Sequence, residues 1–129
     1  MAPAPLVLVV DDEPLLLQVC TRALEAGGYR VLTADSAVAA LDILSTLATW
    51  PDLLLSDVRM VPIDGLSLVK LVRQAYPGVP ALLMSGYTPD VASLPAPLVA
   101  KPFHPDVLLA AVHQALRTAS PSQPESARQ

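Results

Sequence analysis

The chain has 129 residues, which suits one domain with a single core. It is 53% apolar and 16% charged, so wholesale disorder is excluded, and a net charge of -4 without a basic stripe argues against nucleic-acid binding by this chain alone. Cys20, the single cysteine, excludes an internal disulfide and reads as a small core residue in a reducing compartment. No apolar run approaches a membrane span, and Met1-Ala2-Pro3-Ala4-Pro5 lacks the basic start of a signal peptide. The expectation is a soluble, cytoplasmic protein without a membrane partner.

Leu6-Val7-Leu8-Val9-Val10 is an apolar run of strand length that ends on Asp11-Asp12-Glu13-Pro14. Pro14 opens a helix with Leu16, Val19, Cys20, Ala23 and Leu24 at helical spacing, stopped by Gly27-Gly28. Arg30 to Ala34 is a second strand, and Ser36 caps a helix with Ala40, Leu41, Leu44 and Leu47 inward. After Trp50-Pro51 comes Asp52-Leu53-Leu54-Leu55-Ser56-Asp57, a strand buried on both faces that ends on a carboxylate. Gly65 or Leu66 begins a third helix, with Leu68, Val69, Val72 and Ala75 on one side, and Tyr76-Pro77-Gly78 ends it. Pro80 to Met84 is a fourth strand leading into Ser85-Gly86. Between there and the short strand Leu98-Val99-Ala100 the helical pattern is stunted by Pro95 and Pro97. His104-Pro105 starts a last helix with Leu108, Leu109, Val112 and Leu116 inward, and residues 118–129 read as a flexible tail. Residues 1–5 form an N-terminal extension and 6–117 the domain.

Strands alternating with helices imply a parallel sheet with right-handed crossovers and helices on both faces. In such a sheet the strand ends share one edge, where ligands bind. That edge collects Asp11 and Asp12, Asp57, Ser85 and Lys101. Three neighbouring carboxylates stay ionised at neutral pH only if a cation neutralises them. An all-oxygen donor set suits Mg²⁺ or Mn²⁺ rather than zinc. A carboxylate can act as the nucleophile toward phosphorus, while Lys101 supplies an ammonium and Ser85 a hydroxyl for the phosphoryl oxygens. Backbone N–H groups after Asp57 and Ser85 would add donors, made approachable by Gly86.

With these residues in place the chain resembles the receiver domains of two-component response regulators. The resemblance rests on Asp11-Asp12, on Asp57 with Met60 and Asp64-Gly65 behind it, on Ser85-Gly86, and on Lys101-Pro102-Phe103, and it covers roughly residues 6 to 117. It implies a flavodoxin-like, doubly wound five-stranded sheet of order 2-1-3-4-5. It also implies a phosphoprotein of a phosphorelay, with Asp57 taking a phosphoryl group from a histidine kinase or phosphotransfer protein. Mg²⁺ would be held by Asp12, Asp57, the backbone carbonyl of Arg59 and, through water, Asp11. The Lys101-Pro102 bond would be cis. Such a protein catalyses its own aspartyl phosphorylation and dephosphorylation, turns over no external metabolite, and switches an unidentified downstream protein.

Two departures bear on the switch. Val61 stands where the family usually has proline, with Pro62 one place later, so the loop is expected to turn differently. Leu98 stands where an aromatic is common, which points to Tyr87 or the segment 87–97 as the carrier of the signal. A degenerate receiver acting as a phosphorylation-independent protein-binding module is the alternative, and the intact acidic pair, Ser85 and Lys101 argue against it. A phosphatase or mutase using an aspartyl phosphate would want an acid at position 59, where this chain has Arg59. His104, at a helix start, and His113, on a polar face, read as surface residues; Tyr29 and Tyr76 read as edge packing, and Phe103 as packing beneath the last helix.

Overall fold

The computed structural model describes residues 3–86 and 93–118. Five strands and four helices follow in the order β1 (Leu6–Val10), α1 (Pro14–Ala26), β2 (Arg30–Ala34), α2 (Ala37–Thr46), β3 (Leu53–Asp57), α3 (Gly65–Ala75), β4 (Ala81–Ser85), β5 (Leu98–Ala100) and α4 (Pro105–Thr118). The strands are all parallel, in the order β2-β1-β3-β4-β5. The chain leaves β1 toward β2 on one side and resumes with β3 on the other, so the ends of β1 and β3 border the crevice where the winding reverses.

Alternate residues of each strand feed two separate cores. Val7, Val9, Leu53, Leu55 and Met84 pack with Cys20 and Leu24 of α1 and Leu108 and Val112 of α4. Leu8, Val10, Leu54 and Leu83 pack with Leu44 of α2 and Leu68 and Val72 of α3. Burial on both faces explains why the central strands read as unbroken apolar runs. Full burial of one leucine is worth about 1.5–3 kcal/mol. The polar ends of β3 fix its register, because a slip by one residue would carry Asp52 or Ser56 into a position a leucine fills and take Asp57 off the edge.

Helix starts follow their sequence signals. The Ser36 Oγ accepts from the Ala39 N–H at 3.0 Å, and Asp64 Oδ1 accepts from the Ser67 N–H at 2.8 Å. Pro14 lies in the first turn of α1, and Gly28 (φ 94°) follows its end. The second helix stops at Thr46, so Leu47 packs on the core as the residue after the helix rather than within it. Tyr76 meets Trp50 edge-on with ring centroids 5.3 Å apart, and Phe103 packs on the α1–α4 side. His104 Nδ1 accepts from the Asp106 N–H at the start of α4, and His113 is exposed. The helix expected to be stunted before β5 falls partly on residues 87–92, which, with Tyr87 and the tail from 119 onward, lie outside the described residues; residues 93–97 hold no α-helix. No helix among the described residues is long and apolar enough to cross a membrane.

Gly65, first residue of α3, cannot carry a side chain. A Cβ there would run into the backbone carbonyl of Asp57. Gly65→Ala is expected to cost about 1–3 kcal/mol of stability, read as a lower urea midpoint, because the blocking atom is backbone and not a movable side-chain tip.

Cys20 is fully buried, with its Sγ 3.9 Å from the Met84 Sδ. Burial, helped by the Asp11 carboxylate and opposed by Lys101, pushes its thiol up to about 11 from 9.0. The folded state thus holds this proton more tightly than the unfolded chain. Its contribution is intact below pH 9.0 and is lost as pH rises, by about 2 kcal/mol at pH 11. Stability curves of the wild type and Cys20→Ala should therefore converge above pH 9, and parallel curves would contradict the assignment.

Candidate functional site at the strand ends

Each polar residue expected at the sheet edge is there, delivered by the strand that precedes it. Asp11 follows β1 and continues its ladder, its N–H donating to the Ala34 carbonyl at 3.1 Å. Its carboxylate is almost wholly buried: Oδ1 accepts from the Glu13 N–H at 2.9 Å and Oδ2 from the Lys101 Nζ at 2.9 Å. Asp57 closes β3, is 7% exposed, and accepts from the same Lys101 Nζ through Oδ1 at 3.0 Å. Ser85 closes β4 and is buried. Lys101 follows β5, its N–H donating to the Ser85 carbonyl at 2.8 Å, and the Lys101-Pro102 bond is cis as expected. One ammonium thus joins two carboxylates that stand 46 positions apart in the chain.

Asp12 is the exposed member of the acidic pair. It completes a group in which Asp11, Asp12 and Asp57 each offer an oxygen within 4.8 Å of the others. Three hard carboxylate oxygens at that separation fit a small divalent cation such as Mg²⁺, with waters completing the shell. Arg59 lines a groove with Asp12 on one side and, on the other, a cavity of about 330 Å³ over Asp57 that also touches Glu13, Ser85, Gly86 and Lys101. The site is therefore open over Asp57.

Burial is the main influence on the Asp57 carboxyl and raises its pKa from 3.8. The Lys101 hydrogen bond and charge lower it, and the Asp11 and Asp12 charges raise it again. For Lys101 burial works the other way and favours the neutral amine. The bonds to Asp11 and Asp57 outweigh it, so the ammonium is held above its ordinary 10.5. Lysine is thus fixed as a cation, while Asp57 is a carboxylate with unfavourable surroundings.

Three features correct or extend the sequence reading. The N–H directly after Asp57, on Val58, is used by the β4 ladder, donating to the Met84 carbonyl at 2.9 Å, so it is not available to a ligand. The Val61-Pro62 bond is cis, like Lys101-Pro102, and Val61 is 79% exposed. Leu98 is half-buried against the core that includes Leu83. Sequence reasoning passed over Glu13, read only as the lead into α1, and Ser56, read only as strand; both become visible once Asp57 is placed, because they flank it in the chain or across the cavity.

The model of the response regulator receiver domain matches residues 7–113. The transcriptional regulatory protein GlrR of Escherichia coli K12 is 33% identical over 128 residues, covering 95% of this chain and 28% of that protein. The sensor kinase CckA of Brucella abortus is 37% identical over 95 residues, covering 74% of this chain and 10% of that protein. The chain thus spans about a quarter or less of the length of these relatives. Among solved structures, the receiver domain of NtrX from Brucella abortus superposes with a TM-score of 0.80 at 29% identity, covering 87% of this chain and 98% of that one. Match, topology and strand-end residues agree, and the chain belongs to the response regulator receiver domains of two-component systems.

Proposed function

We propose that this domain, residues 6–117, is a working phosphoacceptor. In this reading Asp57 receives a phosphoryl group from the phosphohistidine of a cytoplasmic histidine kinase or phosphotransfer protein. The observation that carries it is the convergence of the buried Asp57 with Lys101, Ser85 and two further carboxylates around an open cavity. The chain matches part of both a transcriptional regulatory protein and a sensor kinase.

Lys101 holds Oδ1 of Asp57, which assigns the attack on phosphorus to Oδ2. The new O–P bond forms as the N–P bond breaks, and the pair of that bond returns to the imidazole. Lys101 then turns a charge-assisted hydrogen bond toward the phosphoryl oxygens, joined by the Ser85 hydroxyl. Asp11 keeps the other side of the ammonium fixed during this exchange. Asp12, Asp57, the Arg59 carbonyl and, through water, Asp11 are the groups that would hold Mg²⁺, which when bound would supply positive charge for the carboxylates and the incoming oxygens. Dephosphorylation by water through the same cavity returns the domain to its resting state.

The binding-module alternative has one observation in its favour, the placement of Leu98 against the core where an aromatic would move. Labelling separates the two. Acetyl phosphate with Mg²⁺ should phosphorylate the wild type and leave Asp57→Ala unlabelled, and Lys101→Met should slow the reaction roughly 100-fold. An unlabelled wild type would establish the module instead.

The electrostatics give a second expectation for the metal-free protein. Because the Asp57 pKa is raised on folding, its ionised form weighs against the fold above that folded value, and protonation relieves the penalty as pH falls toward 3.8. Asp57→Asn, whose Oδ1 still accepts from Lys101, should melt higher than the wild type at pH 7 in EDTA. The gap should close in acid, and Mg²⁺ should stabilise only the wild type. Equal melting at pH 7 would show that Asp57 bears no such penalty.

A further inference from the structure

Ser56 is fully buried, yet no step above uses it. Its side chain lies on the opposite face of β3 from the Asp57 carboxylate, because successive residues of a strand alternate. The hydroxyl turns along the chain and donates to the Asp57 carbonyl at 3.0 Å. The next peptide unit is then held at both ends, with its C=O bonded to Ser56 and its N–H, on Val58, bonded to the Met84 carbonyl at 2.9 Å. Gly65 closes the arrangement from α3. Its N–H donates to the Val58 carbonyl at 2.8 Å, and the position a Cβ would take there is 3.0 Å from the Ser56 Oγ. Ser56, Gly65 and β4 thus grip the peptide that leads from Asp57 to Arg59.

We propose that Ser56 is a positioning residue for Asp57 and for the Arg59 carbonyl: its hydroxyl fixes the peptide between them, and so sets the geometry of the phosphoacceptor and its cation. This rests on the reading of Asp57 as phosphoacceptor. The requirement is physical. Lys101 restrains one carboxylate oxygen, but the backbone after Asp57 must also point in one direction if a main-chain carbonyl two residues later is to face the same ion. An aliphatic residue at 56 would fill the core as well and leave the Asp57 carbonyl without this donor. Groups that orient a ligand set in this way typically change affinity or rate by roughly 10- to 100-fold when removed.

The test compares the wild type with Ser56→Ala and Ser56→Thr, the latter keeping a hydroxyl. Three quantities are read: the melting temperature and amide exchange of Val58 and Gly65 in EDTA, the affinity for Mg²⁺, and the rate of labelling of Asp57 by acetyl phosphate. Ser56→Ala should fold, exchange the Val58 and Gly65 amides faster, bind Mg²⁺ more weakly and label roughly tenfold more slowly or worse. Ser56→Thr should restore affinity and rate toward the wild type. A Ser56→Ala protein that melts lower but binds Mg²⁺ and labels as the wild type does would reduce Ser56 to a satisfied core hydroxyl and overturn the proposal. Ser56→Thr that folds yet behaves like Ser56→Ala would do the same. A wild type that takes no label at all overturns instead the phosphoacceptor reading on which the proposal stands.

Discussion

A single ammonium shared between two buried carboxylates is the constraint on which the site depends. Lys101 lies 2.9 Å from Asp11 and 3.0 Å from Asp57, and so ties the ends of β1 and β3 to the segment after β5. Buried charges recover their desolvation cost only with close, well-oriented partners, and removing one partner of such a pair typically costs about 3–5 kcal/mol. Yet the pairing is incomplete by construction. Asp11, Asp12 and Asp57 carry three negative charges to the one positive charge of Lys101. The imbalance is what gives a divalent cation a reason to bind here, and it adds to the burial that raises the Asp57 pKa although Asp57 is bonded to a lysine.

The scaffold makes that imbalance tolerable. The change from leucines to polar residues at both ends of β3 fixes Asp57 against movement along the strand, and Gly65 brings the N-terminus of α3 against its carbonyl where any side chain would intrude. At the other end of the strand the Asp52 carboxylate accepts from the Leu6 N–H at 2.8 Å, while its own N–H donates to the Leu6 carbonyl, so β1 and β3 are pinned where they enter the sheet as well. A carboxylate with unfavourable surroundings persists only if neither strand can shift to relieve it.

Much of this was legible in the sequence because the physics that writes it is local. Strands covered on both faces must be apolar throughout, so Leu6–Val10 and Leu53–Leu55 announce themselves, and the abrupt change to Asp11 and to Asp57 marks the ends that face the site. Ser36, Pro14 and Gly27-Gly28 act within one helical turn, and they fell where expected. What escaped depends on residues distant in sequence. Whether the Val58 N–H is available is decided by β4, whether position 65 tolerates a side chain is decided by the Asp57 carbonyl, and Ser56 looks like any strand residue until the neighbouring peptide is seen to need a donor. The early end of α2 is a smaller case, in which Leu47 reaches the same core from outside the helix and the apolar spacing alone could not distinguish the two.

The position of Leu98 bears on how a signal could leave this site. A ligand shifts a conformational equilibrium only through contacts that differ between the two states. An aromatic with a polar tip can exchange solvent for the interior and so offer such a difference, but Leu98 has no polar group and already contributes to the core beside Leu83. Moving it outward would expose apolar area with nothing gained in return. Among the described residues, the Lys101 ammonium is polar and already divides its bonds between two partners, Asp11 and Asp57, with which any phosphoryl oxygen would compete. Among the described residues, a phosphoryl group on Asp57 would meet these hydrogen bonds first, and position 98 offers no ring to swing. Full conversion of a two-state switch needs about 5.5 kcal/mol of differential binding. Charge-assisted bonds in a partly buried site are the kind of interaction strong enough to approach it.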